Sequence, residues 1–475
     1  MATITSLGIG SGLDINTIVE KLTALERRPL DQMRSDASRL QTQVSAYGRM
    51  QSLFGALKDA SNALNNSTLW SRSVASSADE ATLGATGGTG AAPGQYSVQI
   101  DQLAQSQTLA STSVFASAAA LVGSGTLSLQ LGVWNSATNT LTAKADSAVQ
   151  EISVTSSDTL QSLRDKINSA NSGVTASIVT DASGARLSMR STATGAENGF
   201  SVVALETDAG GLGRLAYDPA GSSTAMELKQ SAANARASVN GITVDSTTNV
   251  LSGAIEGLTL TLRQPTTAPV NVVVSADTEA VSKGIKSFAE AYNALASYIA
   301  EQTRYDPSNK TGGPLQGDGA ANSLVRRMRD VLNTASGASS SFSRLSDVGL
   351  RLQRDGTLQV DAADLGSATA NLAELKKAFV NNDPLVPANN GFSRRYANLA
   401  NGVLAVDGSL TLRSEGLRKQ IAKNGEDQEG INQRADRFRE RLVSQYTVMD
   451  GNLSKLNALS SYVTQQIAAM NRPTN

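Results

Sequence analysis

Apolar residues near both ends of the chain recur with the alternating three- and four-residue spacing of a coiled-coil seam. The C-terminal seam begins at Tyr446 and is interrupted by Ser460. Its apolar members are Met449, Leu453, Leu456, Val463, Ile467 and Met470. The N-terminal seam is interrupted by Gln51, and its members are Leu30, Met33, Ala37, Leu40, Val44, Tyr47 and Phe54. No comparably long stripe follows either seam, so we expect both to pack against helices of other subunits.

A shorter amphipathic segment precedes the N-terminal seam. It contains Ile15, Ile18, Leu22 and Leu25 at helical spacing. Asp14 or Asn16 is expected to cap this helix, and Pro29 is expected to break or restart it before the seam begins.

The middle of the chain has the two-residue period of half-buried β-strands. This alternation is clearest in four sets, which are Tyr96, Val98 and Ile100; Leu127, Leu129, Leu131 and Val133; Leu258, Leu260 and Leu262; and Val270, Val272 and Val274. One short helix is predicted within this region, with Leu160, Leu163 and Ile167 as its apolar stripe. Ser157 or Asp158 is expected to cap that helix.

Helical spacing returns after Asp277. Two long stripes are predicted to form intramolecular core, namely Val281, Ile285, Phe288, Tyr292, Leu295 and Ile299, and then Phe392, Tyr396, Leu399, Val403, Val406 and Leu410. The order of patterns predicts a multidomain α+β protein, with helical coiled-coil termini, a helical domain, and two β-rich domains inserted between the N- and C-terminal helices. The predicted divisions are terminal coiled-coil segments at 1–42 and 430–475, a helical domain at 43–74 and 278–429, a β-rich domain at 75–112 and 232–277, and an inserted outer β-rich domain at 113–231.

The predicted assembly contacts lie in the C-terminal seam and in the short amphipathic segment that precedes the N-terminal seam. The residues chosen are Ile18, Leu22, Tyr446, Met449, Leu453, Leu456, Val463 and Ile467. Exposed apolar side chains contribute no burial energy until a partner covers them. We therefore expect the terminal segments to be mobile in an isolated subunit and to become ordered on assembly.

Composition excludes several classes of function. The 41 basic and 42 acidic residues nearly balance, which argues against a nucleic-acid partner. The absence of cysteine and histidine removes disulfides, thiolate nucleophiles and imidazole ligands, and we can place no catalytic set, metal site or cofactor site without them. The first residues lack the character of a secretory signal, and no apolar run is long enough to span a membrane.

Four features invite a functional interpretation and have a simpler one. Gly8, Gly10 and Gly12 lack the strand and lysine of a phosphate-binding loop. Asp306, Asn309 and Asp318 lack the spacing of a calcium loop and suit turns better. The arginines at 326, 327 and 329, and those at 434, 437, 439 and 441, are typical of solvated helix faces. Trp134 is most simply a core residue, although it could mark a surface for host or neighbour contact.

Several segments resemble the bacterial flagellar filament-capping protein family, also called hook-associated protein 2. The terminal segments are GIGSGLDINTIVEKL at 8–22 and RLVSQYTVMDGNLSKLNALSSYV at 441–463. The internal ones are NGITVDSTTNVLSGAIEGLTLTL at 240–262 and VGLRLQRDGTLQVDAADL at 348–365. In addition, DKINSANSGVTASIV at 165–179 resembles an element of several flagellar axial proteins.

The resemblance implies a structural protein that is not an enzyme. Such a protein would form a homo-oligomeric ring at the distal end of the filament and promote insertion and polymerisation of exported flagellin. It would be extracellular, at the filament tip, after export by the flagellar apparatus with an export chaperone and without a cleaved signal peptide. Two alternatives stay open, another flagellar axial or junction protein, and an extracellular adhesin whose β domains bind a host glycan or mucin.

Overall fold

A computed structural model describes residues 14–208, 211–308 and 310–470, and for residues 469 and 470 it describes the backbone alone. The described chain forms two compact units. One is mainly helical and contains residues 14–66 and 278–470; the other is β-rich and contains residues 67–277. The predicted fold class is confirmed. The predicted four-part division, with its boundaries at 42, 74, 112, 231, 277 and 429, stays a prediction.

The first long helix, α1, is Ile15–Asn65, and Asp14 caps it by accepting a hydrogen bond from the Thr17 backbone N–H at 3.1 Å. Asp14 was one of the two expected caps. The expected break at Pro29 was wrong, because α1 continues through this residue. A proline inside a helix lacks the N–H that would bond to the carbonyl four residues earlier, so packing along the rest of α1 has to maintain the helix here.

The β-rich unit begins with α2, Ser67–Trp70, and its described residues contain one further α-helix, α3, Leu160–Ser169, and two short 3-10 helices, Ala196–Asn198 and Leu212–Leu215. Its strands are β1 Ser73–Ser77, β2 Leu83–Gly87, β3 Gly94–Gln102, β4 Thr108–Ser111, β5 Gly125–Asn135, β6 Thr140–Ala143, β7 Gln150–Val154, β8 Val174–Asp181, β9 Gly184–Ser191, β10 Gly199–Glu206, β11 Tyr217–Asp218, β12 Ser223–Thr224, β13 Met226–Gln230, β14 Ala235–Val239, β15 Ile242–Ser246, β16 Val250–Ile255, β17 Leu258–Leu262 and β18 Val270–Ala276. The predicted alternation is confirmed in β17, where every leucine is buried while the threonines between them are partly exposed. In β5 it holds for Leu127 and Leu129 but was wrong for Val133, which is exposed.

Four antiparallel sheets organise these strands around two hydrophobic clusters. One sheet has the order β1-β18-β3-β14-β15, and a second has β16-β17-β2; their cluster draws its residues from 83–104 and 235–274. The other two sheets are β12-β11-β10-β5-β6, with β7 also paired to β5, and β13-β4-β9-β8. The second cluster lies within residues 109–226 and includes the apolar face of α3.

Two predictions in the β-rich unit need correction. The cap of α3 is Thr159, not Ser157 or Asp158, and it forms a reciprocal capping box with Ser162. Asp158 lies one residue earlier and its carboxylate binds the Lys166 ammonium at 2.5 Å instead. Trp134 is half-buried at the edge of the second cluster and is not a full core residue.

The helical unit continues after β18 with α4 Thr278–Thr303, β19 Tyr305–Asp306, β20 Thr311–Gly312, α5 Gly319–Asn333, β21 Leu350–Leu352, β22 Leu358–Val360, α6 Ala362–Thr369, α7 Leu372–Val380, α8 Phe392–Leu404 and α9 Ser409–Met470. Its core is aromatic, and Tyr396 contacts Phe288 and Tyr292 edge-on at centroid distances of 5.3 and 5.8 Å. The stripe predicted from Phe392 to Leu410 is not one helix, because α8 ends at Leu404 and Val406 is exposed.

The N-terminal seam is largely intramolecular, which corrects the expectation that it meets other subunits. α1 packs against α4, α8 and α9, and four members of the seam are buried in one chain, namely Leu30, Leu40, Tyr47 and Phe54. The helices that cover them lie more than 200 residues away in sequence, so the local pattern did not reveal them.

Candidate assembly surface

α1 and α9 run antiparallel along each other. An ion pair joins Arg27 of α1 to Asp436 of α9 at 2.6 Å between Nη2 and Oδ1. Further along α1, the Tyr47 hydroxyl donates a hydrogen bond to the Asp318 carboxylate. The same carboxylate accepts from Arg413, which lies near the start of α9. Residue numbers therefore rise on one helix as they fall on the other. Counting along both helices from the ion pair, Ile15 lies near the level of Val448.

A buried carboxylate fixes this pair to the rest of the helical unit. The Asp318 side chain accepts hydrogen bonds from the Tyr47 hydroxyl at 2.6 Å and from the Arg413 guanidinium at 2.9 Å. It also caps α5, because it accepts from the backbone N–H groups of Ala320 and Ala321. Burial raises the pKa of Asp318, but the hydrogen bonds from Tyr47, Ala321 and Arg413 outweigh it and hold the pKa below its ordinary value.

Burial along α9 declines towards its C-terminal end. Its buried apolar side chains are Leu410, Leu417, Ile431 and Ala435. Beyond Ala435, no side chain that the structure describes on this helix is buried. The apolar spacing nevertheless continues for another eight turns or so, which leaves an apolar face in water.

The predicted contact residues fall into two groups that differ in solvent exposure. Ile18 and Leu22 of α1 are half-buried, next to the buried Ile15 and Val19. Tyr446, Met449 and Leu453 are half-buried on α9. The last three are more exposed, with Leu456 at 60%, Val463 at 47% and Ile467 at 55% of full exposure. All six α9 residues share one continuous helix, and the mobility expected for them in an isolated subunit stays a prediction.

Two further apolar residues on α9 extend the exposed stripe. Leu459 and Tyr462 are each 59% exposed, and the sequence prediction missed both. Both residues lie outside the alternating three- and four-residue spacing of the seam. A search for a wider apolar helix face would have identified them. We call Leu456, Leu459, Tyr462, Val463 and Ile467 together the distal stripe.

The arginine run of α9 is divided between two sides of the helix pair. Arg434, Arg437 and Arg441 line one groove of about 590 Å³. Arg439 lines a second groove with Arg27 of α1. The distribution around the helix agrees with solvated faces, and Arg441 also lies over the Phe438 ring at 5.9 Å.

The other candidate sites from the sequence are not supported as binding sites by the residues that the structure describes. Gly8, Gly10 and Gly12 lie outside the described residues, as does Asn309. In the described ranges, no group of three or more acidic side chains is arranged to hold a metal ion. None of the helices within residues 14–208, 211–308 and 310–470 combines the length and apolar character needed to cross a membrane.

Comparison with protein families matches most of the chain. The model for the flagellar hook-associated protein 2 C-terminus matches residues 232–458, and that for its N-terminus matches residues 11–107. The flagellin hook IN motif matches residues 139–193, which include the segment 165–179.

Whole-length relatives and a solved structure agree with these matches. The chain is 30% identical to flagellar hook-associated protein 2 of Escherichia coli strain K12, over 98% of each chain. It is 29% identical to B-type flagellar hook-associated protein 2 of Pseudomonas aeruginosa, again over 98% of each. The crystal structure of the D1-D2-D3 domains of the flagellar cap protein FliD from Escherichia coli matches with a TM-score of 0.62 and 26% identity, covering 78% of this chain and 99% of that one.

The fold and these likenesses define a class, the multidomain flagellar proteins in which β-rich domains interrupt a helical unit with long terminal helices. Within that class, the chain belongs to the flagellar hook-associated protein 2 family. This is a family of structural flagellar cap proteins and not of enzymes.

Proposed function

We propose that this protein forms a homo-oligomeric ring at the distal end of the flagellar filament and promotes insertion and polymerisation of exported flagellin. Its place of action is then extracellular. Family membership supports the cap role. The distal stripe of α9 supports assembly, because an exposed apolar face on a long helix is a surface that another helix can cover.

The energetics favour a role in association. Full burial of a leucine, isoleucine or valine side chain stabilises a complex by about 1.5–3 kcal/mol. Leu456, Val463 and Ile467 are about half exposed, so each retains a substantial part of that energy for a partner. Several such side chains in one stripe offset the loss of freedom on association, which a single exposed leucine would not do.

A charge placed in the distal stripe tests this role. Leu456→Asp should leave the fold intact and abolish filament growth, because an unpaired carboxylate would have to be buried in the contact. Leu412→Asp is the matched control, since Leu412 is a 55% exposed leucine near the other end of the same helix. Circular dichroism checks the fold of both variants, and swimming motility with electron microscopy of filaments measures growth. Normal motility of Leu456→Asp would contradict the proposal.

The insertion step is mechanical in this proposal. The β-rich domains retain exported flagellin, and the terminal helices contact the filament end in place of flagellin helices. If the ring and filament symmetries differ, one terminal helix pair at a time can be unsatisfied and provide a folding site for the next subunit. Crosslinks that join the distal stripe to the filament should stop elongation. Unimpeded elongation of crosslinked filaments would refute the idea that the terminal helices release the filament end one pair at a time.

The proposal also covers how the subunit reaches the filament tip and how the cap role is distinguished from that of another flagellar protein. The subunit would pass through the flagellar export apparatus with the help of an export chaperone. Another axial or junction protein is the alternative, and deletion of the gene distinguishes the two. A cap deletion should release flagellin as monomer while the hook junction remains, whereas loss of the junction would favour the alternative.

A second candidate function is binding of a host glycan or mucin by the β-rich domains. One specific observation favours it, which is a cleft lined by Trp134 in that unit. The ligand class of this cleft is argued next.

A further inference from the structure

The β-rich unit contains a cleft of about 330 Å³ between the β5–β6 hairpin, β11 and β13. Trp134, Tyr217 and Pro219 line it with rings, and Asn135 and Ser231 add amide and hydroxyl groups. No described residue of its lining carries a charge. A volume near 300 Å³ with aromatic walls and a few polar groups is typical of a small-ligand site.

The indole of Trp134 is held in a fixed orientation. Its Nε1–H donates to the Gln107 side-chain oxygen at 3.0 Å, and Gln107 is fully buried and also bonded to the backbone of Phe200. Tyr217 meets the indole edge-on at a centroid distance of 5.8 Å. Gly199 leaves room for the ring, because a Cβ there would lie 2.9 Å from Trp134 Cδ1. Such support presets an aromatic surface, so little ordering is needed when a ligand binds.

The hydrogen bond that the Trp134 N–H already makes limits the kinds of ligand that this cleft can bind. Grooves that bind proline-rich peptides combine aromatic walls with donors to the peptide carbonyls, but the Trp134 N–H already bonds inside the protein. An anion or cation would lack a counter-charge in this lining. The remaining match is a neutral molecule with one flat apolar face and hydroxyl groups at its rim.

We propose that this cleft binds a neutral pyranose sugar, with the apolar face of the sugar stacked on Trp134 and its hydroxyl groups hydrogen-bonded to the amide and hydroxyl side chains at the rim. This ligand class makes the glycan candidate specific. The inference rests on the glycan candidate above and not on the assembly contacts of the terminal helices, because the distal stripe lies in the other unit.

Tryptophan fluorescence of the full chain tests the proposal directly. The chain has two tryptophans, so Trp70→Phe leaves Trp134 as the reporter. The probes are methyl β-D-galactoside, N-acetylglucosamine and lactose, with N-acetylneuraminic acid as the charged comparison. At least one neutral sugar should give a saturable change with a dissociation constant on the order of 1 mM, confirmed by calorimetry on the unaltered chain.

Variants separate binding from folding. Trp134→Ala should weaken the calorimetric affinity at least tenfold, and Trp134→Phe should retain part of it because an aromatic face remains. Leu205→Ala is the matched control, since Leu205 is an exposed apolar residue of β10 outside the cleft, and it should bind sugar normally. Filament growth should be normal in all three variants.

Three results would overturn the inference. The first is the absence of saturable binding of any neutral sugar, and the second is unchanged affinity in Trp134→Ala. Preferential binding of N-acetylneuraminic acid or of a proline-rich peptide would also contradict it. None of these results bears on Leu456→Asp, so failure here leaves the cap proposal standing.

Discussion

At the scale of single residues, Asp318 determines how three elements of the helical unit meet. One carboxylate caps α5 and joins Tyr47 of α1 to Arg413 of α9. Tyr47 and Asp318 are 271 positions apart in sequence, so this contact closes a long loop. A buried charge with several donors is costly to lose, because any partner that remains keeps its desolvation cost without compensation.

Removal of this carboxylate should destabilise the helical unit. We expect Asp318→Ala to cost about 3 kcal/mol in the free energy of unfolding, because the Tyr47 hydroxyl and the Arg413 guanidinium then lose their acceptor. Tyr47→Phe should cost about 1 kcal/mol, since it removes one hydrogen bond and leaves the ring in place. Urea unfolding monitored by helical circular dichroism measures both. Equal effects from the two variants would contradict a junction centred on Asp318.

The same group predicts acid sensitivity. The folded-state pKa of Asp318 lies below its ordinary value of 3.8, so its stabilising effect is complete above pH 3.8 and is lost as the pH falls through the folded-state value. Stability of the helical unit should therefore decrease steeply in acid. Asp318→Asn should be less stable at neutral pH and should show a smaller loss between pH 6 and pH 2, measured by urea titrations across that range. If Asp318→Asn loses as much stability in acid as the unaltered protein, the acid sensitivity of the helical unit does not come from Asp318.

At the scale of elements, α1 shows packing overriding local propensity. Its 51 residues include Pro29, yet the helix is continuous. The proline ring removes one backbone hydrogen bond and crowds the carbonyl of Leu25, while Leu30 immediately after it is buried. Tertiary contacts on both sides of Pro29, together with the Asp14 cap, thus supply the stability that the local sequence withholds.

Replacement of this proline should make α1 more stable. Pro29→Ala restores a backbone donor and relieves the clash, for a gain of up to about 3 kcal/mol in local helix stability. Hydrogen exchange of the amides from Leu25 to Met33 should slow, and the thermal midpoint should rise. If protection falls instead, the proline stabilises a bend that the helix pair requires.

At the scale of the whole molecule, the two units differ in how the chain builds them. The β-rich unit is one continuous segment, 67–277, whereas the helical unit combines residues 14–66 with residues after 277. The helical core therefore requires contacts across more than 200 residues, while no side chain that the structure describes beyond Ala435 of α9 is buried in it. Folding of the subunit and exposure of its distal stripe are thus separable properties.

Truncation should separate them. A chain that ends at Leu453 lacks the distal stripe but retains every side chain described as buried. We expect a thermal midpoint within a few degrees of that of the full chain and a loss of self-association, measured by sedimentation velocity over a range of concentrations. A large drop in the midpoint would mean that the stripe packs within the subunit, and retained oligomers would place the assembly contacts elsewhere.

Much of the fold was accessible from the sequence, because its signals are local. The alternation at Leu258, Leu260 and Leu262 predicted a strand with one buried face, and the spacing from Val281 to Ile299 predicted a buried helical stripe; both are confirmed. The prediction placed the α3 cap at Ser157 or Asp158, one or two residues before Thr159, because several neighbouring polar residues can cap a helix and only the backbone geometry selects one.

The sequence by itself determined the secondary-structure periods, the family and the apolar character of both terminal helices, since each depends on residue types at fixed spacing. Only the tertiary structure decided which part of that repeating pattern is covered. Leu30 and Leu456 have the same spacing pattern around them, yet the first is buried within the subunit and the second is 60% exposed. Spacing specifies that a helix has an apolar face, whereas the partner of that face comes from segments far away in the chain, which no local pattern can identify.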